Sequence, residues 1–173
     1  QLGGVDVATF RDCWFQAPVF FSSSGENRGL SFLDCLFTGA IGLQFTNFST
    51  FCQDVRVQGC TFRNANFGIL AAWNAIRRVS VVDNTFQTIG TAAIRHDNAA
   101  GEVTFSEISG NHFVACTNGI DIVQATQNLI CRDNTFDGVS GWCLTVRDIY
   151  AGTELRNSVF TGNHARPNCA NGL

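Results

Sequence analysis

The sequence predicts an all-β solenoid, a parallel β-helix of about seven coils of about 24 residues. Three observations lead there. A four-residue phrase recurs seven times, a period-two alternation precedes each copy, and a Gly-preceded apolar segment follows several of them.

The phrase reads Asp12-Cys13-Trp14-Phe15, Asp34-Cys35-Leu36-Phe37, Gly59-Cys60-Thr61-Phe62, Asp83-Asn84-Thr85-Phe86, Gly110-Asn111-His112-Phe113, Asp133-Asn134-Thr135-Phe136 and Asn157-Ser158-Val159-Phe160. Successive Phe are 22, 25, 24, 27, 23 and 24 residues apart, the period of a solenoid. Five residues before each Phe stands Phe10, Phe32, Val57, Val81, Ile108, Cys131 or Leu155. Two further back stands Ala8, Leu30, Val55, Val79, Ser106, Leu129 or Thr153, with mostly polar residues between. This alternation begins each repeat with a strand.

The Asp or Gly that heads the phrase turns the chain. Two residues before Phe the column reads Cys, Cys, Cys, Asn, Asn, Asn, Ser, so Asn84, Asn111 and Asn134 are placed for an amide ladder at the strand spacing. The Phe column predicts an inward stack of seven rings.

Behind the phrase, Gly68-Ile69-Leu70-Ala71, Ala93-Ile94-Arg95-His96, Gly119-Ile120-Asp121-Ile122-Val123 and Cys143-Leu144-Thr145-Val146-Arg147 read as a further strand in each coil. The stretch Leu129 to Phe136 imitates the LxLxxNxL heart of a leucine-rich repeat. That fold carries a helix or irregular segment where this chain has its additional strand, which favours the β-helix.

Composition agrees. Charged residues are only 14% of the chain, and the polar share comes from 17 Gly, 15 Asn, 15 Thr and 10 Ser, residues of turns and strands. All eleven basic residues are Arg and the net charge is -3, which disfavours a nucleic-acid binder. No apolar stretch approaches the length of a membrane span, so no membrane insertion is expected. The chain reads as one domain over residues 1–173, with coils from about 5 to 162 and a C-terminal tail at 163–173. It lacks Met and shows no capping helix, which suggests part of a longer protein. The eight Cys have neither CxxC pairs nor zinc-like spacing and are expected as reduced, buried thiols.

Chemistry is sought where an outward column of the repeat changes character. With Ile69, Ile94, Ile120 and Leu144 inward, one outward column reads Leu70, Arg95, Asp121, Thr145 and the next Ala72, Asp97, Val123, Arg147. Asp97 and Asp121, one coil and two residues apart, are the candidate acid and base carboxylates, with inverting geometry favoured. Arg95, Arg147, Asp148 and Trp73 are the candidate substrate-binding residues. The competing reading makes ion pairs of the same charges, Arg95 with Asp121 beneath it and Arg147 with Asp97 or Asp148. Glu107 and Arg132, outward on the first strand, read as solvated charges. His96 falls inward, and no His stands at triad spacing from a Ser or Cys.

The D/G-N/C-x-F turn followed by G-I-x-I resembles the right-handed parallel β-helix, or pectin-lyase-like, superfamily from about Val5 to Phe160. Its members include polysaccharide lyases, glycoside hydrolases, adhesins and bacteriophage tailspikes, and this chain looks most like a tailspike or tail-fibre section. The resemblance implies a homotrimer in a virion tail or outside the cell that recognises, and can depolymerise, bacterial surface polysaccharide. A secreted polysaccharide lyase or hydrolase and a structural or adhesive spacer are the alternatives. Pectate-lyase sites hold calcium through several carboxylates. Here only the loose set Asp97, Asp121 and Asp148 matches, without a recognisable motif, so no cofactor is expected.

Overall fold

The computed structural model describes residues 6–21, 27–45, 52–72, 76–97, 104–123, 128–147 and 156–172. They form three parallel sheets and no helix. The first sheet holds Asp6–Arg11, Asn27–Leu33, Cys52–Gln58, Ile76–Val82, Thr104–Ser109, Ile130–Arg132 and Val159–Thr161. The second holds Trp14–Phe15, Leu36–Phe37, Thr61–Arg63, Thr85–Gln87, His112–Val114, Thr135–Asp137 and His164–Ala165. The third holds Val19–Phe21, Ile41–Phe45, Phe67–Ala72, Ala92–Asp97, Ile120–Ile122 and Leu144–Val146. Every strand pairs with its equivalents in the adjoining coils, so the chain is a parallel β-solenoid. Coils two to six have all three strands and a neighbour on both sides, which makes a body of about five turns. The expected seven equal coils therefore include two open ends.

The corner between the first and second sheets is tight because one residue takes the left-handed conformation. Asp12, Asp34, Gly59, Asp83, Gly110, Asp133 and Gly162 have φ of 54, 56, 65, 56, 63, 56 and 63°. Gly adopts that region freely, and Asp and Asn adopt it more readily than other side chains. The heading residue of the phrase is thus chosen by backbone geometry.

The last member of that column corrects the sequence register. Ile130, Cys131 and Arg132 pair with Val159, Phe160 and Thr161, so Phe160 lies in the first sheet under Cys131. Thr135 and Phe136 pair with His164 and Ala165. The seventh phrase is therefore Gly162-Asn163-His164-Ala165, a near copy of Gly110-Asn111-His112-Phe113. The tail at 163–173 supplies the last strand of the second sheet, and Asn157 stands under Asn128, where Asn128 N donates to Arg156 O at 3.0 Å. A smaller shift occurs at Thr104–Ser109, where Val79 pairs with Phe105 before Ser80 pairs with Glu107.

Six rings, not seven, make the stack. Phe15, Phe37, Phe62, Phe86, Phe113 and Phe136 follow one another at centroid separations of 4.9, 4.6, 4.8, 5.0 and 4.7 Å, their planes nearly parallel. Each fully buried ring contributes roughly 2–3 kcal/mol before ordering entropy is set against it. The stack crowds one position at the start of the third-sheet strands, where three coils carry glycine. A Cβ at Gly42, Gly68 or Gly119 would come within 2.5, 2.6 and 2.5 Å of the ring of Phe62, Phe86 and Phe136 in the next coil. Ala93 holds that position in the fourth coil although the ring of Phe113 follows it, and Cys143 holds it in the sixth, opposite Ala165 where no ring arrives.

The corner is tied along the axis by side chains. Asn84, Asn111, Asn134 and Asn163 form the ladder, one member longer than the sequence register predicts. Asn84 Nδ2 donates to Val57 O at 3.0 Å, and Asn84 Oδ1 accepts Cys60 N at 2.9 Å. Cys60 repeats this one coil earlier with sulfur: its thiol donates to Phe32 O at 3.4 Å and accepts Cys35 N at 3.4 Å. The column changes from Cys to Asn because both supply a donor and an acceptor at one small corner.

Candidate functional site

The charged band predicted on the third sheet is assembled as a column pair. The ladder places Leu70, Arg95, Asp121 and Thr145 in one row and Gln44 ahead of them. Arg95 and Asp97 share the strand Ala92–Asp97, Asp121 lies in Ile120–Ile122, and Arg147 follows Leu144–Val146. These positions face outward by strand alternation, while Ile94, His96, Ile120 and Ile122 fill the interior. Asp148 and Trp73 lie outside the described residues.

Asp121 is an outward carboxylate that is nonetheless buried, with 6% of its side chain exposed. Arg147 accounts for its charge: Nε donates to Oδ1 at 3.0 Å and Nη2 to Oδ2 at 2.8 Å, a bidentate pair. Those bonds and the negative charge raise the Arg147 pKa further. The second guanidinium, Arg95, donates from Nε and Nη2 to Asp97 Oδ2 at 3.2 and 2.7 Å, and its Nη1 stands 3.7 Å from Asp121 Oδ2. The order Asp97, Arg95, Asp121, Arg147 is an alternating chain of charge.

The expected Arg95–Asp121 pair is present at 3.7 Å, but shorter pairs join Arg95 to Asp97 and Arg147 to Asp121. Arg147 was expected on Asp97 or Asp148, but Val123 occupies the coil between Asp97 and Arg147 in their shared column, so the guanidinium reaches diagonally to Asp121. Arg95 prefers Asp97 on its own strand and touches Asp121 at longer range. Its guanidinium bridges the two carboxylates.

Beneath this band His96 is fully buried between Ala71 and Ile122 of the adjoining coils. Burial pushes its pKa down to about 4, with the charge of Asp97 acting in the opposite direction. The eight cysteines are free thiols, and burial pushes Cys52, Cys60 and Cys131 up to about 12 and Cys116 up to about 11. Among the described residues no group of three or more His, Cys, Asp and Glu could hold a metal ion. No helix among them is long and apolar enough to cross a membrane.

Comparison with family models, curated proteins and solved structures finds no match.

A second polar surface follows the corner between the first and second sheets. A cleft of about 700 Å³ there includes Glu107, Arg132 and Asp133, and one of about 460 Å³ includes Arg11 and Asp34. Arg56 and Asp83 line both. Glu107 and Arg132, expected as solvated charges, remain partly exposed and are bonded to one another at 3.0 Å, and Ser109 Oγ donates to Glu107 at 2.8 Å. The visible signal for this surface was the Asp and Gly column at the head of the phrase, which reads as turn chemistry alone until the fold aligns it.

Among aromatic side chains, Trp14 is 61% and Trp142 54% exposed, and Trp14 Nε1 donates to Thr38 Oγ1 at 3.1 Å. Among the described residues the strongly exposed apolar side chains, Val7, Trp14, Phe20, Ile130, Trp142, Val146 and Val159, belong to the first and the last two coils. Leu33, Leu36, Leu70, Val82 and Val114 are half-buried.

Proposed function

We propose that this chain is a polysaccharide-recognising β-helix of the tailspike or tail-fibre kind, right-handed and pectin-lyase-like, acting in a virion tail or outside the cell. The observation that carries the reading is the fixed band Asp97, Arg95, Asp121 and Arg147 on one face of a rigid parallel sheet. Guanidinium and carboxylate groups on such a face bond sugar hydroxyls in pairs, and Arg also grips acidic sugars.

Recognition fits this geometry better than turnover. An inverting glycosidase leaves room between its carboxylates for the glycosidic bond and a water, and here the Arg95 guanidinium lies between Asp97 and Asp121. The exposed apolar side chains of the end coils are the surfaces through which a homotrimer would assemble.

The deciding experiment is binding to a panel of purified bacterial surface polysaccharides, with solution mass measured in parallel. Binding by a trimer, weakened tenfold or more in the Arg95→Ala, Arg147→Ala double variant, supports the reading. A monomer that binds none of the panel leaves the spacer reading in its place. Release of reducing ends or of unsaturated products would add depolymerase activity to recognition.

A further inference from the structure

We propose that the corner between the first and second sheets is a second carbohydrate site, a trough that takes a neutral β-1,4-linked glycan lying along the solenoid axis. This rests on the reading of the chain as a polysaccharide-recognising solenoid and gives that activity a different face and a different ligand class.

The shape is linear because the two clefts share Arg56 and Asp83 and so run together from the first coil to the sixth. Five strand spacings give the trough a length of ~24 Å. Its floor has a two-coil rhythm. A Cβ at Gly59, Gly110 or Gly162 would fall on the carboxylate oxygen of Asp34, Asp83 or Asp133 in the preceding coil. Each of these Asp side chains lies over the following glycine, so from Asp34 onward Asp and Gly alternate and a carboxylate returns every second coil, ~9.6 Å along the axis, while Asp12 gives the first coil a carboxylate outside that rhythm. A β-1,4-linked chain of hexoses has a near twofold screw and presents the same edge at every second sugar. The two repeats are close in length over the few sugars that the trough spans.

The distribution of unspent hydrogen-bonding capacity places the centre of the site. At one end Arg11 Nη1 is bonded to Asp34 Oδ2 at 3.1 Å, and at the other Arg132 is bonded to Glu107 and Asp133 at 3.0 Å each. In the middle, Arg56 bonds only Gln58 among the described residues, and no described side chain donates to Asp83. Donors and acceptors thus remain available at the two residues shared by both clefts, unlike the third-sheet band, where each charge is bonded to another. Three arginines face four carboxylates along the trough, a balance that selects a hydroxyl-rich neutral chain over a polyuronate.

The test is calorimetric titration of the protein with cellohexaose, chitohexaose and hexagalacturonate, beside a bacterial polysaccharide that the wild type binds. The trough requires that at least one neutral hexamer bind, and that cellobiose or chitobiose bind tenfold or more weakly. Asp83→Asn and Arg56→Ala should each cost tenfold or more, with no loss in Gln87→Ala on the second sheet. Asn tolerates the left-handed backbone at position 83, so the fold survives that change. Neutral hexamers that do not bind, unaltered binding in both corner variants, or tighter hexagalacturonate binding would each overturn the proposal. If bacterial polysaccharide binds while neither neutral hexamer does, the trough falls and the proposed function stands. If nothing binds, both fall.

Discussion

The carboxamide oxygen of Asn134 accepts two hydrogen bonds from Asn111, one from its backbone nitrogen at 3.1 Å and one from its side-chain nitrogen at 2.9 Å. Asn111 Nδ2 also donates to Val81 O at 2.9 Å, and its own oxygen accepts the corresponding pair from Asn84. Asn111→Ala strips partners from several buried groups at once and should cost about 2–4 kcal/mol in denaturant unfolding. Asn111→Cys should cost clearly less, because Cys60 makes the same two connections with sulfur. Equal losses in the two variants would show that the ladder bonds do not account for the corner's stability.

His96 makes stability fall on acidification. Its folded pKa is depressed, so above the unfolded value of about 6.5 the ring is neutral in both states and carries no penalty. Between there and about 4 the unfolded chain takes up a proton that the native interior resists, and stability declines as pH drops. The loss is on the order of 3 kcal/mol across the window. A His96→Phe variant that remained folded should have a flatter profile between pH 6.5 and 4; an identical slope would place the proton uptake elsewhere.

Thiol reactivity should divide the eight cysteines. Cys13 and Cys169 are partly exposed, while the other six are buried, most with pKa values raised by desolvation. A thiol-specific reagent at pH 8 should label Cys13 and Cys169 in native protein and all eight after denaturation without reductant. Peptide mapping that finds bridges in the untreated protein contradicts this.

Gly68 and Phe86 should behave as one unit. Phe86→Ala removes a fully buried ring and should cost about 3–5 kcal/mol. Gly68→Ala drives a methyl group toward that ring and toward Ala93 O, and should cost about 1–3 kcal/mol. The double variant gives the methyl part of the vacated space, so its loss should be less than the sum of the two. Strict additivity would mean that the carbonyl alone excludes the methyl.

Removing Arg147 should be worse than neutralising its partner. Arg147→Ala leaves Asp121 charged in a site where 6% of its side chain is exposed, whereas Asp121→Asn leaves an Arg that is half in solvent. The expected costs are about 1–2 kcal/mol and under about 1 kcal/mol. The reverse order in thermal unfolding would assign the charge of Asp121 to Arg95 instead.

What could be read in the sequence is what repeats with side-chain chemistry. The αL corner, the ring stack through Phe136, the inward His96 and the Asn ladder each follow from one residue type required at one backbone position. The seventh phrase was misread because Val159-Phe160 matches the spacing of the Phe column, while the correct Gly162-Asn163-His164-Ala165 lacks the aromatic that marks the others. Spacing is a weaker constraint than the donor and acceptor that the corner needs, and Asn163 supplies both: it accepts Asn134 N at 3.2 Å and donates to Cys131 O at 2.9 Å. At the third sheet the shared column of Arg95 and Asp121 and their ion pair were legible, but the shorter pairs Arg95–Asp97 and Arg147–Asp121 were not. Long side chains choose partners by reach across neighbouring coils, which no linear spacing encodes.

Ala165 under Phe136 has a mechanical meaning. In a solenoid each coil is held only by its neighbours, so load applied to an end is borne by one interface at a time. Five interfaces along the second sheet are clamped by ring on ring, and the sixth has a methyl group there instead. Among the described residues, a pull from the C-terminal side meets first the joint without a ring pair, where strand pairing and the Asn134–Asn163 bonds carry the load. One coil further in, the stacked pair Phe113 and Phe136 is the first aromatic clasp to share the strain.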